Sequence, residues 1–202
     1  MKFLQDIGWY GLRRLQVWEI DEAGNLLSIL LVRQKQNKLL LEAYDANPTL
    51  PIPNGAFPIL LALQLEQKLE AKITMETSNP LAEVLGVSTV DEKQFVWQKV
   101  TLDDKEQWIS LIRKDQLTPI WQVLAAYQGQ LVSLNFSEQT NLLLGSDMRE
   151  QEILAESLQI PHSALFPYAV ALHYCQTHGR DLHGMDDLLA PTKRFSQTTS
   201  KI

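Results

Sequence analysis

The sequence contains a single cysteine, Cys175, among its 202 residues. An internal disulfide bond is therefore excluded, and so is a metal site built from several thiolate ligands. No apolar run approaches the roughly 20 residues that a membrane-spanning helix needs. The N-terminus also lacks the apolar core of a secretion signal, because only Phe3 and Leu4 precede Gln5 and Asp6. We therefore expect a soluble chain in a reducing compartment such as the cytoplasm.

Positive charge is scarce relative to negative charge. The sequence has 18 lysine and arginine residues against 24 aspartate and glutamate residues, which gives a formal net charge of −6. Neutralising the phosphates of a nucleic acid needs clustered basic residues, and the longest basic runs are only Arg13-Arg14 and Lys193-Arg194. Nucleic acid is therefore excluded as the main partner. Hydrophobic residues make up 45% of the chain, which is enough for the core of one large domain or two small ones.

Residues with catalytic or metal-binding chemistry do not form a recognisable motif. All four histidines lie in the last quarter of the sequence, and His173 and His178 are five residues apart, which places them on different faces of a helix. The adjacent carboxylates Asp103-Asp104 and Asp186-Asp187 suit exposed turns better than general acid–base catalysis. Cys175 is expected to be a buried, inert thiol. We therefore expect no enzymatic activity, no catalytic residues, no metal and no cofactor.

The first third of the sequence predicts β-strands. An alternating run over 15–20, a strongly apolar run over 26–32 and a return run over 39–44, joined by short polar turns, predict a three-stranded antiparallel meander. The apolar run 57–63 predicts a strand buried on both faces. Residues 68–75 alternate and are expected to be its hairpin partner, although a helix over residues 63–73 is an alternative.

The stretch from Phe95 to Ser137 predicts a strand, a turn, a second strand, a helix and a third strand. The second strand covers residues 108–112, the helix begins near Thr118, and the third strand covers residues 130–136. A strand, a helix and a return strand form a βαβ unit, in which both strands belong to one sheet. Shorter helical patterns occur over residues 80–85 and 147–159 and after Pro161.

Two turns invite comparison with phosphate-binding loops. A meander followed by a helix and a strand resembles the layout of actin-like ATPases, which use Asp-x-Gly turns. At Asp21 the glycine, Gly24, comes one position late, and Ala23 hinders the close approach of a phosphate. The second candidate runs from Asn135 to Ser137, with Asn in place of Asp and Ser in place of Gly. These cofactor-binding candidates, Asp21, Gly24, Asn135 and Ser137, therefore belong to degraded loops, and we do not expect them to hold a nucleotide.

Four segments show a family resemblance: LSILLVRQKQNKLLLEAYDA (27–46), FPILLALQLEQKLEAKI (57–73), WISLIRKDQLTPIWQVLAAYQGQLVSLNF (108–136) and ALFPYAVALHY (164–174). They are similar to the actin-like cytoplasmic domains of inner-membrane platform proteins in type II secretion and type IV pilus assembly, the GspL and PilM group. The resemblance implies a mixed α/β chain with an abbreviated ribonuclease H/actin-like fold. It would have a first lobe over residues 1–137, a mainly helical second lobe over 138–185, and a polar tail or linker over 186–202.

The function implied by the resemblance is that of a non-catalytic scaffold that binds partner proteins of a secretion or pilus platform. Its location would be the cytoplasmic face of the inner membrane, and a tether by a membrane segment outside these residues is left open. A homodimer is left open as well. An active actin-like nucleotide-binding ATPase or kinase and an unrelated small-molecule binding domain are the two alternatives.

Overall fold

A computed structural model describes residues 14–35, 38–49, 57–125, 127, 131–136, 144, 147–177 and 181–185. Over these ranges the chain is a mixed α/β protein with two β-sheets and several helices, which confirms the predicted class. Its strands are β1 (Arg14–Asp21), β2 (Leu26–Lys35), β3 (Lys38–Asp45), β4 (Ile59–Gln64), β5 (Leu69–Thr74), β6 (Phe95–Thr101), β7 (Glu106–Arg113), β8 (Leu131–Phe136) and β9 (Leu182–His183). Its helices are α1 (Pro80–Leu85), α2 (Thr118–Leu124), α3 (Met148–Leu158) and α4 (Leu165–Thr177).

The first sheet has five strands in the order β3-β2-β1-β4-β8. The strands β1, β2 and β3 form the predicted antiparallel meander, because β2 pairs antiparallel with β1 on one side and with β3 on the other. Both β4 and β8 run parallel to β1, with β4 between the other two. Five of the six residues of β4 are buried, as the continuous apolar run predicts for a strand covered on both faces.

The second sheet is antiparallel and has the order β5-β7-β6-β9. Two predictions are corrected here. β5 pairs with β7 instead of forming a hairpin with β4. The predicted βαβ unit is wrong as well, because β7 belongs to the second sheet whereas β8 pairs with β4 in the first. Local periodicity indicates which residues form a strand, but the pairing partner depends on which apolar face each strand must cover.

Helix ends follow local chemistry. Helix α1 begins at Pro80, where the missing N–H costs nothing, and the side chain of Asn79 accepts a hydrogen bond from the backbone N–H of Ala82. It ends at Gly86 in a left-handed conformation. Helix α2 begins at Thr118 as predicted, but the Thr118 side chain does not cap it. Its hydroxyl donates to the carbonyl oxygen of Asp115 in the preceding 3-10 turn.

The hydrophobic core has three parts. The first lies between the first sheet and α4, and it includes Val17, Leu60 and Val170. The second lies on the other face of the first sheet, where α2 and one face of the second sheet cover it. The third and smallest lies between the other face of the second sheet and α1. The layers therefore follow the order α4, first sheet, α2 with the second sheet, and α1.

Helix α4 is the most deeply buried helix of the described part. Eight of its residues are buried, and it packs on β1, β2 and β4. The phenolic hydroxyl of Tyr168 donates to the carbonyl oxygen of Leu39 at 2.9 Å, which ties the helix to β3. Its buried residues are not confined to one side of the helix, which agrees with its place in the core. The proposed lobe boundary after residue 137 falls outside the described residues and stays a prediction.

Candidate functional site

The Asp21 turn uses its carboxylate for its own structure. One carboxylate oxygen of Asp21 accepts hydrogen bonds from the backbone N–H groups of Ala23 and Asn25, at 3.0 and 2.8 Å. The other oxygen accepts from the side-chain amide of Asn25 at 2.9 Å. Aspartate commonly closes turns in this way. Both oxygens of Asp21 therefore already have donors within the turn.

Gly24 lies directly against helix α2. Its φ of +85° favours glycine, and a Cβ placed there would lie 3.0 Å from the carbonyl oxygen of Pro119 and 3.1 Å from Cγ2 of Val123. The glycine thus allows a helix, rather than a phosphate, to approach the turn closely. The space above this candidate loop is filled by protein.

The second candidate loop lies at the same end of the first sheet. Register places Glu19 beside Ala62 and Ala62 beside Asn135, so Glu19 and Asn135 share a face on either side of a small residue. Asp21 follows two residues after Glu19 and lies on that face too. The structure therefore brings Asp21 and Asn135 to the carboxyl ends of β1 and β8, where ligands often bind in parallel sheets. Ser137 lies outside the described residues.

Asn135 belongs to a buried polar cluster that sequence reasoning missed: His173, Asp181, Gln98 and Asn135. The side-chain amide of Gln98 donates to Oδ1 of Asn135 at 2.7 Å and to Oδ2 of Asp181 at 2.5 Å. Nε2 of His173 lies 2.7 Å from the same Asp181 oxygen. Oε1 of Gln98 accepts a hydrogen bond from the backbone N–H of Phe136 at 3.3 Å. The polar cluster therefore joins α4, β6, β8 and the residue before β9.

One signal in the sequence points to this polar cluster. Gln98 and Asn135 are amides within largely apolar strands, and they are only 1% and 2% exposed. Buried amides need hydrogen-bond partners, so two such residues indicate a polar contact inside the core. The partners themselves, His173 and Asp181, come from a helix and a loop more than 35 residues away along the chain.

A second polar group lies near β1. Glu19 is only 8% exposed. Its carboxylate accepts a hydrogen bond from the Ser28 hydroxyl at 2.6 Å. Its other oxygen accepts from the side-chain amide of Gln64. Donors on β2 and β4 thus satisfy this buried acid, which we interpret as a structural contact between three strands.

The Asp181 carboxyl group has an altered pKa. Burial raises the pKa of Asp181, but the hydrogen bond and charge of His173, together with hydrogen bonds from Gln98 and Thr177, lower it by more. The pKa of Asp181 therefore lies below its ordinary value of 3.8. A lowered folded-state pKa means that the ionised carboxylate stabilises the fold above the ordinary pKa, and that this stability is lost as the pH falls through the folded pKa.

We expect acid to destabilise the wild-type protein more than an Asp181→Asn variant. The wild-type protein should progressively lose the stability contributed by the ionised Asp181 carboxylate from about pH 5 downwards. The variant has no carboxyl group to protonate at this position. Urea unfolding at pH 6 and pH 3 measures the difference, and the surface variant Asp91→Asn is the matched control. An equal loss of unfolding free energy in the wild type and Asp181→Asn would contradict the role of this carboxylate.

The described residues offer little for catalysis. They contain no group of three or more His, Cys, Asp or Glu side chains that could hold a metal ion. Burial raises the pKa of the Cys175 thiol to about 11, so the thiol is protonated and a poor nucleophile at neutral pH. The His173–Asp181 pair is buried, at 9% and 11% side-chain exposure, which suits a structural contact.

Within the described part of the chain, no helix combines the length and the apolar character needed to cross a bilayer. A comparison with models of known protein families found no match, and a search of curated proteins found no significant relative.

Proposed function

We propose that this chain is a non-catalytic, actin-like scaffold that binds partner proteins of a type II secretion or type IV pilus assembly platform. Support comes from the first sheet, in which an antiparallel meander is followed by two strands parallel to its first strand. This strand order agrees with the ribonuclease H/actin-like layout that the family resemblance implies, and it supports the proposal on that ground. A fold does not establish a function, so the argument depends on the site.

The observation that carries the proposal is the closed Asp21 turn. A phosphate loop needs free backbone N–H groups and open space beside a glycine. Here the carboxylate of Asp21 accepts hydrogen bonds from two backbone N–H groups of the turn. Gly24 lies close to the carbonyl oxygen of Pro119, so the space beside the glycine is occupied. Asn135, at the other candidate loop, is buried and bound to Gln98. These contacts favour a protein that retains the layout of the fold without a phosphate site.

The partners follow from the same proposal. A scaffold of this class would connect the ATPase of a secretion or pilus machine to other platform proteins at the cytoplasmic face of the inner membrane. The net charge of −6 favours proteins over nucleic acids as partners. A homodimer on the platform is compatible with this role.

We expect saturating Mg-ATP to leave the midpoint of thermal unfolding unchanged. A nucleotide present at 100 times its dissociation constant would stabilise the fold by about 2.7 kcal/mol. For a chain of this size, that stabilisation would raise the midpoint by about 5–10 °C. Differential scanning fluorimetry with and without Mg-ATP measures the effect, and Mg²⁺ alone is the control.

A rise of that size with Mg-ATP, absent with Mg²⁺ alone, would contradict the scaffold proposal and support a nucleotide-binding ATPase or kinase. Variants at Asp21 and Asn135 would then locate the site, because loss of the rise in either variant would place the nucleotide at the carboxyl ends of β1 and β8.

A further inference from the structure

Strand β5 is the outermost strand of the second sheet. It pairs with β7 along its whole length without a register shift, and its other edge has no strand partner within the described part of the chain. Just beyond the strand, the N–H of Met75 donates to the carbonyl oxygen of Lys105 at 2.7 Å, on the β7 side. Alternate residues of an antiparallel ladder share this direction. The backbone N–H and C=O groups of Glu70 and Lys72 therefore point outward, away from β7.

The sequence of β5 is complementary to itself. When two copies of this strand run antiparallel about a two-fold axis through Ala71, Glu70 of each copy lies opposite Lys72 of the other. In the same arrangement, Leu69 of each copy lies opposite Ile73 of the other. Cross-strand pairs of opposite charge and apolar pairs both stabilise a sheet, whereas like charges directly opposite each other destabilise it. A second copy of the chain therefore matches this edge in both charge and hydrophobicity.

Two exposed apolar side chains lie where such pairing would cover them. Leu69 is 49% exposed and Met75 is 43% exposed. Alternation places both of them on the face of the second sheet that carries Ile73 and packs against α1. In the two-fold arrangement, Leu69 of one copy lies diagonally across from Met75 of the other, at about 7–8 Å, a distance that long side chains bridge. Pairing would thus shield both side chains from water in each copy.

The opposite face of β5 carries the two charged residues, and contacts within the chain hold them in place. The carboxylate of Glu70 accepts a hydrogen bond from the Ser110 hydroxyl at 2.7 Å. The ammonium group of Lys72 forms an ion pair with Glu106, and the Lys72 side chain is still 50% exposed. An ammonium group has three donors, so it can bind a second carboxylate. Charges at this edge oppose pairing with an unrelated strand, but a second copy provides a partner for each of them.

We propose that β5 pairs with β5 of a second copy of this chain, antiparallel and centred on Ala71. The two four-stranded sheets would then form one continuous sheet across the dimer. Such an interface uses the same surface on both subunits and closes with two-fold symmetry, so no edge of the paired strands remains for further growth. This pairing does not depend on the scaffold function, with which a dimer is compatible.

The other outer strands suit self-pairing less well. In β3 the pairing register shifts opposite Leu31 and Val32 of its neighbour, and such bulges oppose regular pairing with a further strand. Five of the six residues of β8 are buried, and β9 has only two residues. Within the described strands, β5 therefore combines a regular outer edge with a self-complementary sequence.

An Ala71→Cys variant tests the register directly. Because Ala71 points its backbone groups at β7, its two copies would form a non-hydrogen-bonded pair with about 4.5 Å between Cα atoms. A disulfide bond spans about 4.4–6.8 Å between Cα atoms. The one natural cysteine, Cys175, is buried and gives little background. We expect oxidised glutathione to convert this variant to a disulfide-linked dimer, measured by non-reducing gel electrophoresis. Thr74→Cys is the matched control, because its two copies would lie about 20 Å apart.

Charge variants test the pairing in solution without an oxidant. In Glu70→Lys the facing positions are all positive, and in Lys72→Glu they are all negative, so each variant alone places like charges opposite each other. We expect each to weaken dimerisation about tenfold, measured by sedimentation velocity. An equimolar mixture restores opposite charges at both pairs and should dimerise as tightly as the wild type. The exposed residue Lys93 provides the control, since Lys93→Glu should leave dimerisation unchanged.

Three results would overturn the proposal. The first is a wild-type protein that stays monomeric at about 1 mM, where even a very weak dimer is populated. The second is equal crosslinking of Ala71→Cys and Thr74→Cys, which would mean random collision or another register. The third is a mixture of folded charge variants that dimerises no better than either variant alone. Should near-ultraviolet circular dichroism show that a charge variant does not fold, the two cysteine variants decide the outcome, because each changes only one small side chain.

Discussion

Replacement of Trp18 by alanine is expected to lower the free energy of unfolding by about 3–5 kcal/mol, the range for removing a large buried aromatic side chain. Trp18 is 1% exposed and lies in the core between the first sheet and α2. Its indole N–H donates to Oε1 of Gln16 at 3.0 Å, and the ring of Tyr127 meets it edge-on with 4.8 Å between centroids. The substitution removes these contacts and leaves a cavity between two layers.

Urea or guanidinium unfolding measures the effect, with Ile153→Ala as the matched control. Ile153 is 57% exposed on α3, and its truncation should change the free energy of unfolding by less than about 0.5 kcal/mol. A loss below about 1 kcal/mol for Trp18→Ala would mean that the second sheet and α2 do not pack on β1 as described.

The second large effect is expected at Gly24. A Gly24→Ala substitution should lower the free energy of unfolding by about 2–5 kcal/mol, because two costs add. A non-glycine residue in the left-handed region costs about 1–2 kcal/mol. Forcing a methyl group against well-packed neighbours costs about 1–3 kcal/mol more. Here the neighbours are the carbonyl oxygen of Pro119 and the side chain of Val123.

Gly86→Ala isolates the backbone cost. Its φ of +66° is similar, but the space around its Cβ position is open, so only the left-handed strain of about 1–2 kcal/mol is expected. The difference between the two variants in denaturant unfolding then measures how tightly α2 packs on the Asp21 turn. Equal losses would show that the space beside Gly24 is open, and would remove the main argument against a phosphate site there.

The distinction between Gly24 and a phosphate-loop glycine bears directly on function. Glycine suits both a phosphate loop and close packing against a helix, because each brings another group so near the backbone that a Cβ would not fit. The two cases differ in which group lies beside the glycine. In this protein the neighbour is helix α2, and the turn's aspartate already binds the turn's own N–H groups. The scaffold proposal therefore depends on a contact between two segments about 95 residues apart in the sequence.

Much of the secondary structure could be predicted from the residues alone. The meander, the buried strand β4 and helix α1 were predicted from local alternation, a continuous apolar run and a short helical pattern over residues 80–85. These features depend on interactions within a few residues, such as a cap bonding to the next turn. That Asp21 and Asn135 lie at the same end of the first sheet was not predicted and follows only from the register of β1, β4 and β8.

The strand partners could not be predicted in the same way. A strand such as β8 has the same alternation whether it pairs with β4 or with β7, because both partners present apolar faces. The buried polar cluster was missed for a related reason. His173 and Asp181 look like surface residues in the sequence. Only the contact of His173 with Asp181, and the hydrogen bond from Gln98 to Asp181, reveal that they are inside.

The sequence by itself determined the class of the protein, the positions of its strands and helices, and the weakness of its phosphate-loop motifs, since each depends on residue type and local spacing. The tertiary structure alone decided that there are two sheets, that α2 closes the Asp21 turn, and that a buried polar cluster joins the second sheet to the first. The physical reason is that packing and hydrogen bonding between distant segments follow from three-dimensional proximity, which periodicity along the chain does not encode.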